Sequence, residues 1–192
     1  MYALEMAEEL DDKQLEFDGI VVRSAIPSDK ELLFKLITEE EEWTKFNGPY
    51  FPYTTPTMEN FSKRFFVRLS EGDLARVIDL DGKPVGTVTY YWESEDTRWL
   101  EIGIAIYAQG QWGKGIGRKA LTAWVTHMFN RFEIERVGLT TWSGNPRMIA
   151  CAKAIGMQVE GTLRKVRYYN GVYYDSIKMG VLREEWFKNG LS

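Results

Sequence analysis

The sequence predicts an α+β domain: a central, mostly antiparallel, twisted mixed sheet with helices on both faces. Three observations carry that reading. The two-residue turn signals Asp81-Gly82 and Asn170-Gly171 each lie between runs rich in β-branched and aromatic residues, as in hairpins. From Ile116 onward apolar residues recur at three- and four-residue spacing, the stripe of a helix packed on a sheet. No repeat, low-complexity tract or Gly/Ser/Pro-rich linker divides the 192 residues, so one domain is expected over 20–192, preceded by an acidic extension at 1–19.

Each element has its own warrant. Residues 20-IVVRSA-25 read as a strand, and 28-SDKELLFKLITEE-40 as a helix capped by Ser28 or Asp29. The stretch 43-WTKFNGPYFPYTTPT-57 carries three prolines and five aromatics, too punctuated for a regular element, and is expected to be a functional loop. A second helix fits 57–72. Strands then fit 74–80, 84–92 and 98–107, an antiparallel meander. Apolar positions 116, 120, 121, 124, 125, 128, 129 and 132 define the long helix. After a strand at 137–142, a short helix has Asn145 as cap, Pro146 in its first position and Gly156 at its end. Residues 157–169 and 172–186 read as a long terminal hairpin.

Composition excludes several function classes. The chain is 44% hydrophobic with a net charge of −4. Residues 1–42 hold 13 acidic and 4 basic side chains, whereas 43–192 are mildly basic. Without a basic stripe, binding to a nucleic-acid backbone is not expected. One cysteine, Cys151, precludes an internal disulfide, and with one histidine, His127, no metal site is expected. A reducing, cytoplasmic setting fits best. The acidic N-terminus lacks the basic-then-apolar order of a secretory signal, and no run of about eighteen apolar residues suggests a membrane span.

The chemistry concentrates in 109-QGQWGKGIGRKAL-121. A strand that ends in a glycine-rich turn and opens a helix leaves backbone N–H groups unpaired beside the positive end of the helix dipole, which suits an anion such as phosphate. Gly113, Gly115 and Gly117 keep side chains out of the way, and Lys114, Arg118 and Lys119 add charge. The mononucleotide loop GxxxxGK[ST] is not met, since Ile116 and Gly117 stand where Lys and Ser/Thr belong. The dinucleotide pattern GxGxxA is met by 115-GIGRKA-120, but the next strand ends in 142-WSGN-145 with no carboxylate for a ribose.

From about Ile20 to Trp186 the chain resembles the GCN5-related N-acetyltransferases, in the branch that includes ribosomal-protein N-terminal and spermidine acetyltransferases. The family's [Q/R]xxGx[G/A] motif falls on 112-WGKGIG-117, with Trp112 in the Gln/Arg place. Matching passages are 101-EIGIAI-106, 145-NPRMIACAKAIGM-157 and 161-GTLRKVRYYNGVYYDSIKMGVLREEW-186. The resemblance implies strands splayed at an acetyl-CoA site, a bulge near Gly103, and Ile104 and Ile106 pairing with the pantetheine arm. It also implies Gly113, Lys114, Gly115, Ile116, Gly117 and Arg118 at the pyrophosphate, and Asn145 against the CoA arm as well as capping its helix.

An amine that attacks a thioester must be aligned, lose a proton and have charge stabilised on the carbonyl oxygen. Glu101, two residues before Gly103 on the same strand face, is the candidate base; the alternative is a strand Glu facing solvent. The positions where relatives place a Tyr or Ser acid hold Met148 and Ala152, so no general acid carries over. Cys151 lacks a histidine partner and reads as a small packed hydrophobe, and His127 as a packing or surface residue. Trp43, Phe46, Tyr53 and Tyr168 are expected to shape the acceptor pocket, and the run 39-EEEE-42 beside them would suit a cationic amine. The expected activity is therefore direct acetyl transfer from acetyl-CoA to a primary amine on a protein N-terminus, a polyamine or another small molecule. A silent acyl-CoA-binding module and a nucleotide-dependent transferase are the alternatives. A homodimer is compatible with the sequence.

Overall fold

The computed structural model describes residues 14–188. Its strands form one sheet in the order β1-β2-β3-β4-β5-β6-β8-β7. They are β1 Gln14–Phe17, β2 Ile20–Arg23, β3 Ala75–Leu80, β4 Lys83–Ser94, β5 Trp99–Ile106, β6 Arg136–Trp142, β7 Gln158–Tyr169 and β8 Val172–Leu182. All neighbours run antiparallel except β5 and β6, which are joined by a helical crossover and run parallel. The three tight hairpins turn at Asp18-Gly19, Asp81-Gly82 and Asn170-Gly171, with positive φ at both central residues of each. That left-handed pair matches the twist of the flanking strands and favours Asp or Asn followed by Gly.

The first strand departs from the sequence expectation. Gln14–Phe17 pairs with β2, so the sheet begins inside the stretch read as an extension. Leu15 and Phe17 pack against the core that β1 and β2 share with the long helix α3, Ile116–Arg131.

The two faces of the sheet bury separate cores. On one side α3 lies with Leu121, Trp124, Val125 and Met128 fully shielded, and burying a side chain of that size contributes roughly 1.5–3 kcal/mol. His127 is buried in the same helix, its ring 5.3 Å from that of Trp124. On the opposite side sit α1, Asp29–Thr38, and α2. The latter consists of Met58–Asn60, a π-helical stretch Phe61–Phe66, and Val67–Glu71. The wider π turn brings Phe61, Phe65 and Phe66 together, with rings 6.0 and 5.9 Å from that of Phe61. Thr57 caps this helix by accepting the Asn60 N–H, and Gly72 ends it in the left-handed conformation.

Ser28 makes no side-chain cap on α1. Instead the Asp29 carboxylate accepts the Ile26 N–H (2.9 Å) and pairs with Arg23 (2.6 Å), which also reaches Asp79 (2.5 Å). This triad ties β2, α1 and β3 together, and its hydrogen bonds, that to Asp29 first, hold the Arg23 guanidinium above its ordinary pKa. The terminal hairpin is shorter than expected. β8 stops at Leu182, whose N–H is accepted by Glu185 Oε2 (2.9 Å), and residues Arg183–Lys188 wind into helix α5.

Candidate active site

Strands β5 and β6 share only two paired positions, Leu100↔Val137 and Glu101↔Gly138. Beyond them the strands part, while β5 keeps its ladder with β4 as far as Gly86↔Ile106. The opening is a cleft of about 720 Å³ whose walls include Gly103, Ile104, Ile106, Thr140 and Trp142. The expected bulge at Gly103 is absent, since Gly103 stands opposite Thr89 in regular register. Glycine is required there for another reason: a Cβ would lie 2.7 Å from Thr89 Oγ1.

The glycine turn closes one end of the cleft. Gly113 and Gly115 have φ of +76° and +80°, and α3 starts immediately after them. Its first helical bond runs from Lys119 N–H to the Gly115 carbonyl (3.1 Å), so the amides of residues 116–118 project from the helix end without intrahelical partners. The cap residue is itself a glycine, so no side chain competes for them. Gly113, Gly115, Ile116, Gly117 and Arg118 line the cleft, as do Ile104 and Ile106 from β5. Lys114 does not; its ammonium donates to Oε1 of Gln111 (3.2 Å), which does line the cleft. The residues on the cleft wall include Arg118 and Arg147 and no carboxylate. Projecting amides, a helix dipole and unopposed arginines fit the phosphates of a CoA-type co-substrate.

Trp112 fills the motif's Gln/Arg place in its own way. Its indole N–H donates to the Ile106 carbonyl (2.9 Å), tying the turn to the end of β5 and occupying that carbonyl within the protein. Asn145 caps α4, Pro146–Ala154, by accepting the Met148 N–H (3.1 Å), and it also lines the cleft. Its amide donates to the Phe46 carbonyl (3.2 Å), which accepts the Trp142 indole N–H as well (3.0 Å). These bonds pin the loop after Trp43 across the cleft. Phe46 meets Trp112 edge-on, and the Arg147 guanidinium lies 5.0 Å from both ring centres.

Glu101 is wholly buried beside the cleft, on the sheet face opposite α3. Its carboxylate accepts the Thr140 hydroxyl (2.6 Å) and the Tyr91 hydroxyl (3.2 Å), and lies 3.4 and 3.5 Å from Lys178 Nζ. Arg136 approaches to 3.9 Å but belongs chiefly to Glu160 (2.5 Å). Its side chain lies over Gly138 and that of Glu160 over Gly180, so an added Cβ would meet Arg136 or Glu160 respectively. Burial, then the charge of Glu101, pushes the Tyr91 phenol up to about 12, so it stays a donor to the carboxylate. Glu101 is thus neither facing solvent nor on the cleft wall; Thr140, which lines the cleft, stands between them.

The acceptor-side residues divide. Trp43 and Phe46 line the cleft. Trp43 sits in a short 3-10 turn, Glu41–Lys45, and its indole donates to the Ile37 carbonyl (3.2 Å). Tyr53 stands behind it, edge-on at 5.4 Å, and does not reach the cleft. Tyr168 also points away, exposed against Tyr173 at 4.9 Å, because strand alternation turns it to the opposite face from Arg167 and Tyr169. The glutamate run is partly engaged elsewhere: Glu40 accepts the Gln109 N–H (3.2 Å) and Glu42 pairs with Lys45. The sequence reading did not single out Tyr50, Thr140, Trp142 and Arg147, all on the cleft wall, or Lys178. Their contribution depends on strand register and loop placement, which no local pattern encodes. Cys151 lines the cleft near Gly117, and burial pushes its thiol up to about 11, so it is not a ready nucleophile.

Residues 20–158 match the family described as Acetyltransferase (GNAT) domain. The chain belongs to the GNAT family. Among curated relatives, this GNAT chain is 27% identical over 175 residues to YdaF of Bacillus subtilis (strain 168), a candidate ribosomal N-acetyltransferase, covering 88% of this chain and 94% of that protein. Its fold is that of the spermidine N-acetyltransferase from Vibrio cholerae solved with CoA and spermine (TM-score 0.71, 18% identity, 88% of this chain and 98% of the other). It also matches RimL, a ribosomal L7/L12 α-N-protein acetyltransferase solved with coenzyme A (TM-score 0.72, 20% identity, 88% and 98%). Among the described residues, no helix is long and apolar enough to cross a membrane.

Proposed function

We propose that this GNAT chain transfers the acetyl group of acetyl-CoA directly to a primary amine, both substrates being held together in the cleft. The observation that carries the reading is the parting of β5 and β6 after Glu101↔Gly138, with the unpaired amides of α3 at one end and a buried carboxylate at the other. The amide row and Arg118 would hold the CoA phosphates, and the free edge of β5 the pantetheine arm. The amine nitrogen then bonds to the thioester carbon as the C–S bond breaks. Its proton passes toward Glu101, with Thr140 as the hydroxyl between carboxylate and cleft, and the thiolate leaves to take a proton from solvent.

The decisive measurement is CoA release on mixing enzyme, acetyl-CoA and an amine panel, together with intact mass of the protein. Turnover with one or more amines and no acetylated enzyme is expected. Tight CoA binding without release for any amine would instead favour a silent acyl-CoA-binding module. The observation on that side is that Glu101 is already engaged by Tyr91, Thr140 and Lys178, and that Met148 and Ala152 supply no acid.

A further inference from the structure

The acceptor side of the cleft carries a cation that the proposed reaction has not used. Arg167, on β7, lies over the loop that closes the cleft, its guanidinium 4.8 Å from the ring centre of Tyr50 and 5.4 Å from that of Phe51. Its Nε–H is shielded from solvent and meets no acceptor, and no carboxylate among the described residues pairs with it. A buried N–H left without an acceptor is rare in native proteins and calls for a partner. The surroundings supply none. Of the other charges on segments 43–57 and 161–175, Lys45 pairs with Glu42, and the one carboxylate, Asp175, accepts the backbone N–H of Lys165 (2.9 Å).

Register fixes where this cation stands. Arg167 faces Tyr174, two residues beyond the pair Trp142↔Ser176, and is two strands away from β6. At about 3.4 Å per residue and 4.8 Å per strand, its backbone is roughly 7 Å along and 10 Å across from Trp142. Its side chain returns over Tyr50, which touches Trp142 edge-on at 5.5 Å on the cleft wall. A short extended peptide spans that distance at about 3.3–3.6 Å per residue.

We propose that Arg167 is a specificity determinant that binds a carboxylate in the acceptor, so that the preferred substrate is a peptide N-terminus with an acidic side chain among its first residues. The inference rests on the acetyltransferase reading above. Held between the tilted rings of Tyr50 and Phe51, the guanidinium is restrained by cation–π contact, and a carboxylate is the partner that its planar fork of donors recognises best. A polyamine would meet like charge here, from Arg167.

The test compares peptides that differ only in an Asp or Asn at position 2, 3 or 4, alongside spermidine and a free amino acid, by CoA release. For at least one position the Asp peptide should exceed its Asn counterpart by about 10- to 100-fold in kcat/KM, chiefly through KM, the scale of a charge-assisted hydrogen bond. In Arg167→Gln that ratio should fall to within about twofold, and Arg167→Lys should restore part of it. Acetyl-CoA affinity and melting temperature of each variant report on folding. Equal rates for Asp and Asn peptides in the wild-type protein, a better rate with spermidine, or an unchanged ratio in Arg167→Gln would each overturn the proposal while leaving the transferase intact. Absence of CoA release with every acceptor would overturn the transferase reading, and this inference with it.

Discussion

Replacing Glu101 by Gln separates a chemical role from a structural one, because the structure predicts both losses at different sizes. The carboxylate receives Thr140 at 2.6 Å and Tyr91 at 3.2 Å with Lys178 beside it, and Glu101 itself is wholly buried. An amide of the same shape can keep its oxygen at the Oε2 position, which accepts both hydroxyls, but it removes the charge facing Lys178 and turns two N–H donors to the Oε1 side, 3.4 Å from the ammonium. That costs roughly 1–3 kcal/mol. Lys178 retains Glu93 at 3.4 Å, which limits the damage. If Glu101 also receives the amine proton, kcat/KM falls by about 10²–10⁴-fold with acetyl-CoA affinity kept, and raising the pH restores part of it as more amine arrives uncharged. The Tyr91 phenol, pushed up to about 12, does not titrate in a scan from pH 6 to 9 and cannot imitate this profile. The assay is CoA release against pH, run well below the melting temperature, with urea unfolding in parallel. Thr140→Val is the companion: it removes the hydroxyl between carboxylate and cleft and should lower kcat with a similar loss of stability. A Glu101→Gln protein that melts lower yet keeps kcat/KM within about threefold would refute the assignment of the base.

Other consequences can be measured separately. At Gly117 a Cβ would sit 3.6 Å from Cys151 Sγ, an ordinary contact, so Gly117→Ala should keep or slightly raise the melting temperature while weakening CoA binding, because the new methyl adds bulk to the cleft wall beside the proposed phosphate site; unchanged affinity by calorimetry would show the amide row is not that site. At Gly115 the φ of +80° adds strain, so Gly115→Val should lower both affinity and stability, the latter by about 1–3 kcal/mol. Lys114→Ala removes an exposed charge that donates to Gln111, and should change affinity by less than about threefold and in a salt-dependent way. With its thiol pushed up to about 11, Cys151 should react slowly with iodoacetamide at pH 8 and faster as the pH approaches 11; rapid alkylation at pH 7, read by mass spectrometry, would contradict that environment. Tyr107 is fully buried, donating to or accepting from Thr87 at 2.9 Å, and burial raises it to about 12. Its neutral form is favoured in the folded state, so this contribution is complete below pH 10 and is lost by about 1.4 kcal/mol per unit as the pH rises from 10 toward 12. Tyr107→Phe should flatten that part of the alkaline unfolding curve.

The fold was largely legible because its signals are local. The Asp-Gly and Asn-Gly turns at 81–82 and 170–171 and the apolar stripe of α3 each follow from a few neighbouring residues, and each sits where the pattern puts it. Asp18-Gly19 carries the same turn signal, but β1 is only four residues, Gln14–Phe17, and alternates weakly inside an acidic stretch, so charge masked the strand. The end of β8 was misread because Arg183–Lys188 is too short to show a helical period; Trp186, buried in the core, was visible only as one more aromatic.

The site was legible where backbone conformation makes it and obscure where register does. The glycine turn is a property of consecutive residues, and its members, Lys114 apart, gather at one end of the cleft. The acceptor side is assembled from three distant pieces whose mutual placement is set by pairings such as Glu101↔Gly138, Trp142↔Ser176 and Arg167↔Tyr174. In a strand the side-chain period is two, so an error of one residue selects the wrong face. That is what separates Tyr168, singled out by its aromatic ring and turned away, from Arg167, passed over as one cation among several and turned toward Tyr50. The same rule explains Thr140. Only its alternation from Gly138, itself paired with Glu101, brings the hydroxyl to the carboxylate, and a sequence without the parallel β5–β6 register gives no reason to prefer it to Thr141. On the proposed transferase reading, acceptor choice would rest on residues whose identity is ordinary and whose position is decisive, so single substitutions on β6, β7 and the Phe46–Phe51 loop are expected to redirect it while CoA affinity stays as it is.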